Sequence, residues 1–141
     1  MTGVREIRAR GIVKGVAAGA ALVSEDPVSF LGDVDIATGQ IVAERSHVRG
    51  RSLAGKVLVF PGSMGSAGAW RFIYQLRQHG THPVALVCRD LPDPSVVQGA
   101  ILASIPIVCT PEEDVLTTIR DGECLEVDGC GRIRVSGSRD P

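Results

Sequence analysis

Residues 56–66 read Lys56-Val57-Leu58-Val59-Phe60-Pro61-Gly62-Ser63-Met64-Gly65-Ser66, and this stretch decides how the chain is organised. Val57–Phe60 is apolar at every position, without the alternation of a strand that faces water on one side. Such a run is expected of a strand buried on both faces, as in parallel sheets covered by helices. Pro61 and Gly62 break it. Residues 67–79 then read as a helix, with Trp70, Ile73, Tyr74 and Arg77 on one side and Phe72 and Leu76 beside them. Gly80 is placed to end that helix in a left-handed cap.

The pattern repeats downstream. Residues 83–88 form a second apolar strand. Asp93 is placed as an N-cap and Pro94 as a first helical residue. Val96, Val97, Ala100 and Ile101 then recur at helical spacing. Residues 105–109 make a third strand, with Pro106, which has no N–H to donate, predicted at its start or edge. Thr110-Pro111-Glu112-Glu113 is predicted to open a further helix, its acids favoured by the helix dipole. Residues 124–135 read as a hairpin over Asp128-Gly129, and 137–141 as a frayed tail. Upstream, residues 5–13 and 20–24 suggest short strands separated by glycines at 11, 15 and 19. Residues 27–39 read as a loop anchored by Phe30 and Leu31. Residues 41–48 carry no clear preference, and 49–55 form a polar, basic connection. The expectation is one α/β domain over residues 1–141, with central strand–helix–strand units flanked by further strands and a hairpin.

The composition excludes several functions. At a net charge of −1 with mixed signs, the chain lacks the basic face that nucleic-acid binding needs. No apolar run is long enough to cross a membrane, and residues 1–10 lack the apolar centre of a signal peptide, so a cytoplasmic protein is expected. Cys88 and Cys109 close apolar runs and are expected to be buried. Cys124 and Cys130 flank the hairpin turn with no C-x-x-C spacing and no nearby His, so no metal site and no disulfide are expected.

Chemistry concentrates in Gly62-Ser63-Met64-Gly65-Ser66. Glycines let a backbone approach a ligand closely. The amides at a helix start attract carboxylate or phosphate, and the position lies beyond a strand's carboxyl end, where open α/β sheets place ligands. From the local sequence alone, the plainer reading has the advantage: Ser66 caps the helix and the glycines turn the chain. No Walker, G-x-G-x-x-G or nucleophile-elbow spacing is present, so a Ser-His-Asp hydrolase is not expected. His47, His79 and His82 read as surface residues. Asp33 and Asp35 read as turn formers with a cation site as the alternative. Arg45, Arg49, Arg51 and Lys56 read either as a surface that meets an anion or as a solvated or partner-facing cluster.

The ordered set of motifs resembles the aconitase X family. Pro27-Val28-Ser29-Phe30-Leu31-Gly32, Val34-Asp35 and Thr38-Gly39 are similar to a stretch of its small subunits. So are Gly55 through Pro61, Gly65-Ser66, and Gly99-Ala100-Ile101-Leu102-Ala103-Ser104-Ile105-Pro106. The resemblance implies a swivelling β/β/α domain that closes over substrate against a large subunit. That large subunit would hold an iron–sulfur cluster, with no cofactor in this chain. It implies a dehydration of 5-phosphomevalonate, cis-3-hydroxy-L-proline or a related hydroxy acid, hence a small anionic or zwitterionic substrate. Ser66 would be the catalytic proton acceptor, and Gly62, Ser63 and Gly65 would shape the substrate site. Such a serine needs amides and positive charge to stabilise its anion. The chain departs from the family pattern at Met64, where a basic residue is common. It departs again at Ala67-Gly68-Ala69-Trp70, where a second Gly-Ser is usual, and at Asp33, usually glycine. The alternative is a non-catalytic module of the same fold that binds an anion or a partner.

Overall fold

The structure is a computed structural model that describes residues 4–63 and 67–138. Eight strands lie in the order β1-β8-β7-β3-β4-β5-β6-β2. They are β1 (Arg5–Arg8), β2 (Arg10–Val13), β3 (Val16–Val23), β4 (Val57–Phe60), β5 (Ala85–Cys88), β6 (Ile107–Cys109), β7 (Glu123–Asp128) and β8 (Arg132–Ser138). The helices are α1 (Ala69–His79), α2 (Pro94–Ala103) and α3 (Val115–Thr118). Strands β3, β4, β5 and β6 run parallel, with β2 antiparallel at the edge. The expected hairpin is β7–β8, to which β1 and the start of β3 add antiparallel pairings.

β3 belongs to both halves. Val16–Ala20 pair with β7, and Ala21, Leu22 and Val23 pair with β4. The two halves fold face to face. Ile7, Leu125, Val127, Ile133 and Val135 of the antiparallel half pack with Val57, Val59, Ala85 and Val87 of the parallel half. Leu58, Phe60, Leu86 and Cys88 point the other way, into a core closed by Ile73 and Leu76 of α1 and by Val96 and Ala100 of α2. The result is the expected β/β/α layering, and it explains why β4 and β5 are apolar throughout: both faces are covered. Burial, followed by the neighbouring Cys109, Asp90 and Asp93, drives the Cys88 thiol far above its ordinary pKa, so it serves as a small hydrophobe.

Several expectations needed correction. α1 turns Ala69, Ile73 and Leu76 inward, one stripe at i, i+4 and i+7, while Tyr74 faces solvent. Gly80 does close it, at φ 70°. Glu112 and Glu113 do not open a helix. The third helix is a single turn starting at Val115, capped by Asp114, whose carboxylate accepts from the Leu116 amide. The two glutamates are spent on β1: Glu112 accepts from the Arg8 amide and Glu113 pairs with Arg5. Phe30 is buried edge-on against Phe60 at 6.3 Å, but Leu31 is half-exposed. Residues 34–52 hold only two isolated bridges, Val34 with Ile41 and Gln40 with Ser52.

Candidate functional site

Phe60 pairs with Cys88 across the parallel ladder, so the turns leaving β4 and β5 emerge side by side at the carboxyl edge. Their backbones are then laced together. The Arg89 amide donates to the Phe60 carbonyl at 2.9 Å, and the Asp90 amide to the Pro61 carbonyl at 3.0 Å. On the opposite flank, the Val28 amide donates to the Gly62 carbonyl at 3.1 Å. Gly62 sits at φ 153°, a conformation L side chains rarely adopt, so glycine is needed for the chain to leave the sheet here.

Side chains continue the lacing. Ser63 Oγ donates to Asp93 Oδ2 at 2.5 Å. Asp93 is the backbone N-cap of α2, as expected, yet its carboxylate makes no capping bond; it is turned to Ser63 instead. Ser95 Oγ accepts from the Trp70 amide and donates to the Ala67 carbonyl, both at 3.0 Å. The cap of α1 therefore comes from another helix. The N-cap position of α1 is Gly68, which offers no side chain.

Among the predicted site residues, Gly62 and Ser63 stand together at this mouth. Gly65 and Ser66, with Met64, lie outside the described residues. The amides predicted to await an anion are partly engaged. Ser95 takes that of Trp70, and the Gly68 carbonyl takes that of Arg71 at 3.1 Å. Arg89, at the same edge, spends its guanidinium on Asp90 through two 3.1 Å bonds, and this pairing holds the Asp90 carboxyl below its ordinary pKa.

The other candidates have structural duties. Asp33 accepts from the Ser29 amide at 2.8 Å and pairs with Arg45. Asp35 closes its own turn on the Ala37 amide. Arg51 pairs with Asp121 at 3.0 Å. His47 meets Asp26 at 3.3 Å, and His79 meets the Gln75 carbonyl. His82 is only partly exposed, contrary to a surface reading. Its Nε2 faces Arg77 Nη1 at 3.0 Å. Arginine can only donate, so Nε2 accepts and the proton sits on Nδ1, which is buried without a partner among the described residues. Burial first, and the Arg77 charge second, hold this imidazole below its ordinary pKa.

All four cysteines are free thiols, and among the described residues no three His, Cys, Asp or Glu side chains come together to hold a metal. With Cys88 and Cys109 both buried in the core beneath α1 and α2, the donor set does not fit an iron–sulfur cluster. No helix among the described residues is long and apolar enough to cross a membrane.

Sequence reasoning missed Asp93 as a partner of Ser63, and missed Ser95 altogether. A signal existed: both follow the strand next to β4 in a parallel ladder, so their turn had to border the glycine-rich one. Beyond Asp93, an apolar groove of about 480 Å³ runs along α2, lined by Ile12, Leu91, Pro94, Val97, Ile101 and Leu102. Leu91, Ile101 and Leu102 are 61%, 60% and 52% exposed, a concentration of large apolar side chains along α2.

This arrangement has relatives. The family model for the aconitase X swivel domain matches residues 6–135. The chain belongs to that family. It is 41% identical over 130 residues to the phosphomevalonate dehydratase small subunit of Methanothermobacter thermautotrophicus, covering 92% of this chain and 98% of that one. Against the protein of the same name from Pyrococcus furiosus it is 40% identical over 124 residues, 88% of this chain and 90% of that one. A solved structure of aconitase X from Thermococcus kodakaraensis superposes with a TM-score of 0.86 at 35% identity, over 93% of this chain and 98% of that chain. The aconitase X resemblance and the β/β/α fold read from the sequence are both sustained.

Proposed function

We propose that this chain is the small subunit of a two-part hydro-lyase of the aconitase X type that dehydrates 5-phosphomevalonate in the cytoplasm, with Ser66 as proton acceptor. The observation that carries the reading is the glycine-rich turn after β4, placed at the carboxyl edge of the parallel strands in a chain about 40% identical, nearly end to end, to proteins named phosphomevalonate dehydratase small subunit. Dehydration removes a proton from one carbon and hydroxide from its neighbour. This chain's part is the proton: a serine anion positioned by a backbone turn. The metal chemistry falls to the large subunit, because the described residues here offer no ligand set. The exposed apolar strip at Leu91, Ile101 and Leu102 supports a second polypeptide packed along α2.

The test is co-expression with an aconitase X large subunit, followed by dehydration assays on 5-phosphomevalonate and on cis-3-hydroxy-L-proline. Turnover of the phosphorylated substrate alone is expected, and turnover of the imino acid alone would reassign it. Ser66→Ala should lower kcat by about 10³-fold with the complex intact, within the range lost on removing a general base. Undiminished turnover in that variant would remove Ser66 from the mechanism. A complex inert toward both substrates would favour the non-catalytic alternative.

A further inference from the structure

We infer that Asp93 and Ser95 are positioning residues that hold the two ends of the connection between β4 and α1, Ser63 at one end and Ala67 and Trp70 at the other, and through them set the reactivity of the site. This rests on the dehydratase reading above. The loop is tied at both ends to one short segment. At its start Ser63 donates to Asp93; at its end Ala67 and Trp70 are held by Ser95. The two anchors are two residues apart, at the N-cap and the second residue of α2.

Three features set this apart from ordinary packing. An Asp at an N-cap ordinarily satisfies its own helix; here the carboxylate leaves α2 uncapped and serves the neighbouring turn. The helix after the loop has no cap residue of its own and takes Ser95 in its place. Pro94, between the two anchors, is the first residue of α2, with its φ fixed by its ring. The anchors therefore stand on a stiff support, and displacements of about 1 Å at a reacting group can cost about 10²-fold in rate.

The geometry assigns each anchor a distinct consequence. Without Asp93, the Ser63 hydroxyl loses the acceptor that ties it to the start of α2. Without Ser95, the Trp70 amide and Ala67 carbonyl lose their shared partner, and the first turn of α1 opens. Both changes disturb orientation without removing a group that touches substrate, so kcat should fall while KM holds.

The experiment uses the assembled complex and two independent readouts. Asp93→Ala and Ser95→Ala should each lower kcat about 10-fold with KM within about twofold, the mark of lost orientation rather than lost binding. Asp93→Asn, which keeps an acceptor oxygen, and Ser95→Thr, which keeps the hydroxyl, should restore most of the rate. Ser63→Ala combined with Asp93→Ala should be no slower than either alone, since the two act as one unit. Hydrogen exchange should rise about 10-fold across residues 62–70 in both alanine variants and stay unchanged elsewhere. Full kcat in both alanine variants overturns the inference, as does a loss that tracks dissociation of the complex and is not restored by Asn or Thr. If the wild-type complex turns over neither substrate, the dehydratase reading fails by itself, and exchange across 62–70 still decides whether the anchors hold the loop.

Discussion

The turn that leaves β4 and the turn that leaves β5 sit side by side, yet they are made of opposite materials. The first is rich in glycine, needs φ 153° at Gly62, and hands α1 an N-cap without a side chain. The second carries Pro92 and Pro94 and brings two polar side chains, neither of which serves its own helix. The first turn contributes mainly backbone; the second contributes the side chains that bond to it. A glycine-rich site loop is costly to hold in one shape. The neighbouring connection offsets that cost with its bonds to Ser63, Ala67 and Trp70.

Pushing the two turns apart should produce the largest effect. A Cβ on Gly99 of α2 would meet Trp70 Cα at 2.9 Å and Ile73 Cβ at 3.0 Å. Gly99→Leu should therefore cost about 2 kcal/mol in a denaturant melt, in the usual range for overpacking. A loss near zero would mean the helices tolerate separation and the turns are not held in register by them. Next in size, Ser95→Ala should cost about 1 kcal/mol, as for a lost cap, with increased exchange at the start of α1 instead of α2. If α2 loosens first, the loan between helices is not real. In a Ser63→Ala background, Asp93→Ala should cost about 0.5 kcal/mol or less, because the bond to Ser63 is the one hydrogen bond its carboxylate makes among the described residues. A larger cost would show Asp93 capping its own helix in solution.

The smallest effect lies at the other end of α1. His82 has its pKa lowered below the ordinary 6.5 by burial and by Arg77. The unfolded chain thus binds the proton more readily than the folded one. The stability this contributes is complete above the unfolded pKa and is lost as pH falls through the folded value. Melting temperature should drop between about pH 7.5 and pH 5, and less steeply in His82→Gln. Identical slopes would show that His82 accepts a proton without penalty.

Much of this architecture was legible in the sequence. Continuous apolar runs marked β4 and β5, Gly80 marked the end of α1, and Asp93-Pro94 marked the start of α2. The hairpin followed from the Asp128-Gly129 turn signal, and its first strand, β7, buries Leu125 and Val127. What escaped was anything settled by a distant partner. Glu112 and Glu113 have the composition of a helix start, but β1 claims them. Residues 27–53 show no period because side chains organise them: Asp33, Asp35, Thr38 and Ser52 bond to backbone and leave Phe30, Ile41 and Leu53 buried. The site was half legible. Its glycines and serines stood out locally, whereas Asp93 and Ser95 lie some thirty residues downstream and meet the turn only because β4 and β5 are neighbours.

β3 spends its first five residues in the antiparallel half and its last three in the parallel half. No seam separates the two layers, because one continuous backbone is stitched into both. Neither layer can melt and leave the other standing, so heat or denaturant should meet a single all-or-none transition. A force applied at the hairpin should likewise reach the site-bearing edge through an unbroken peptide backbone.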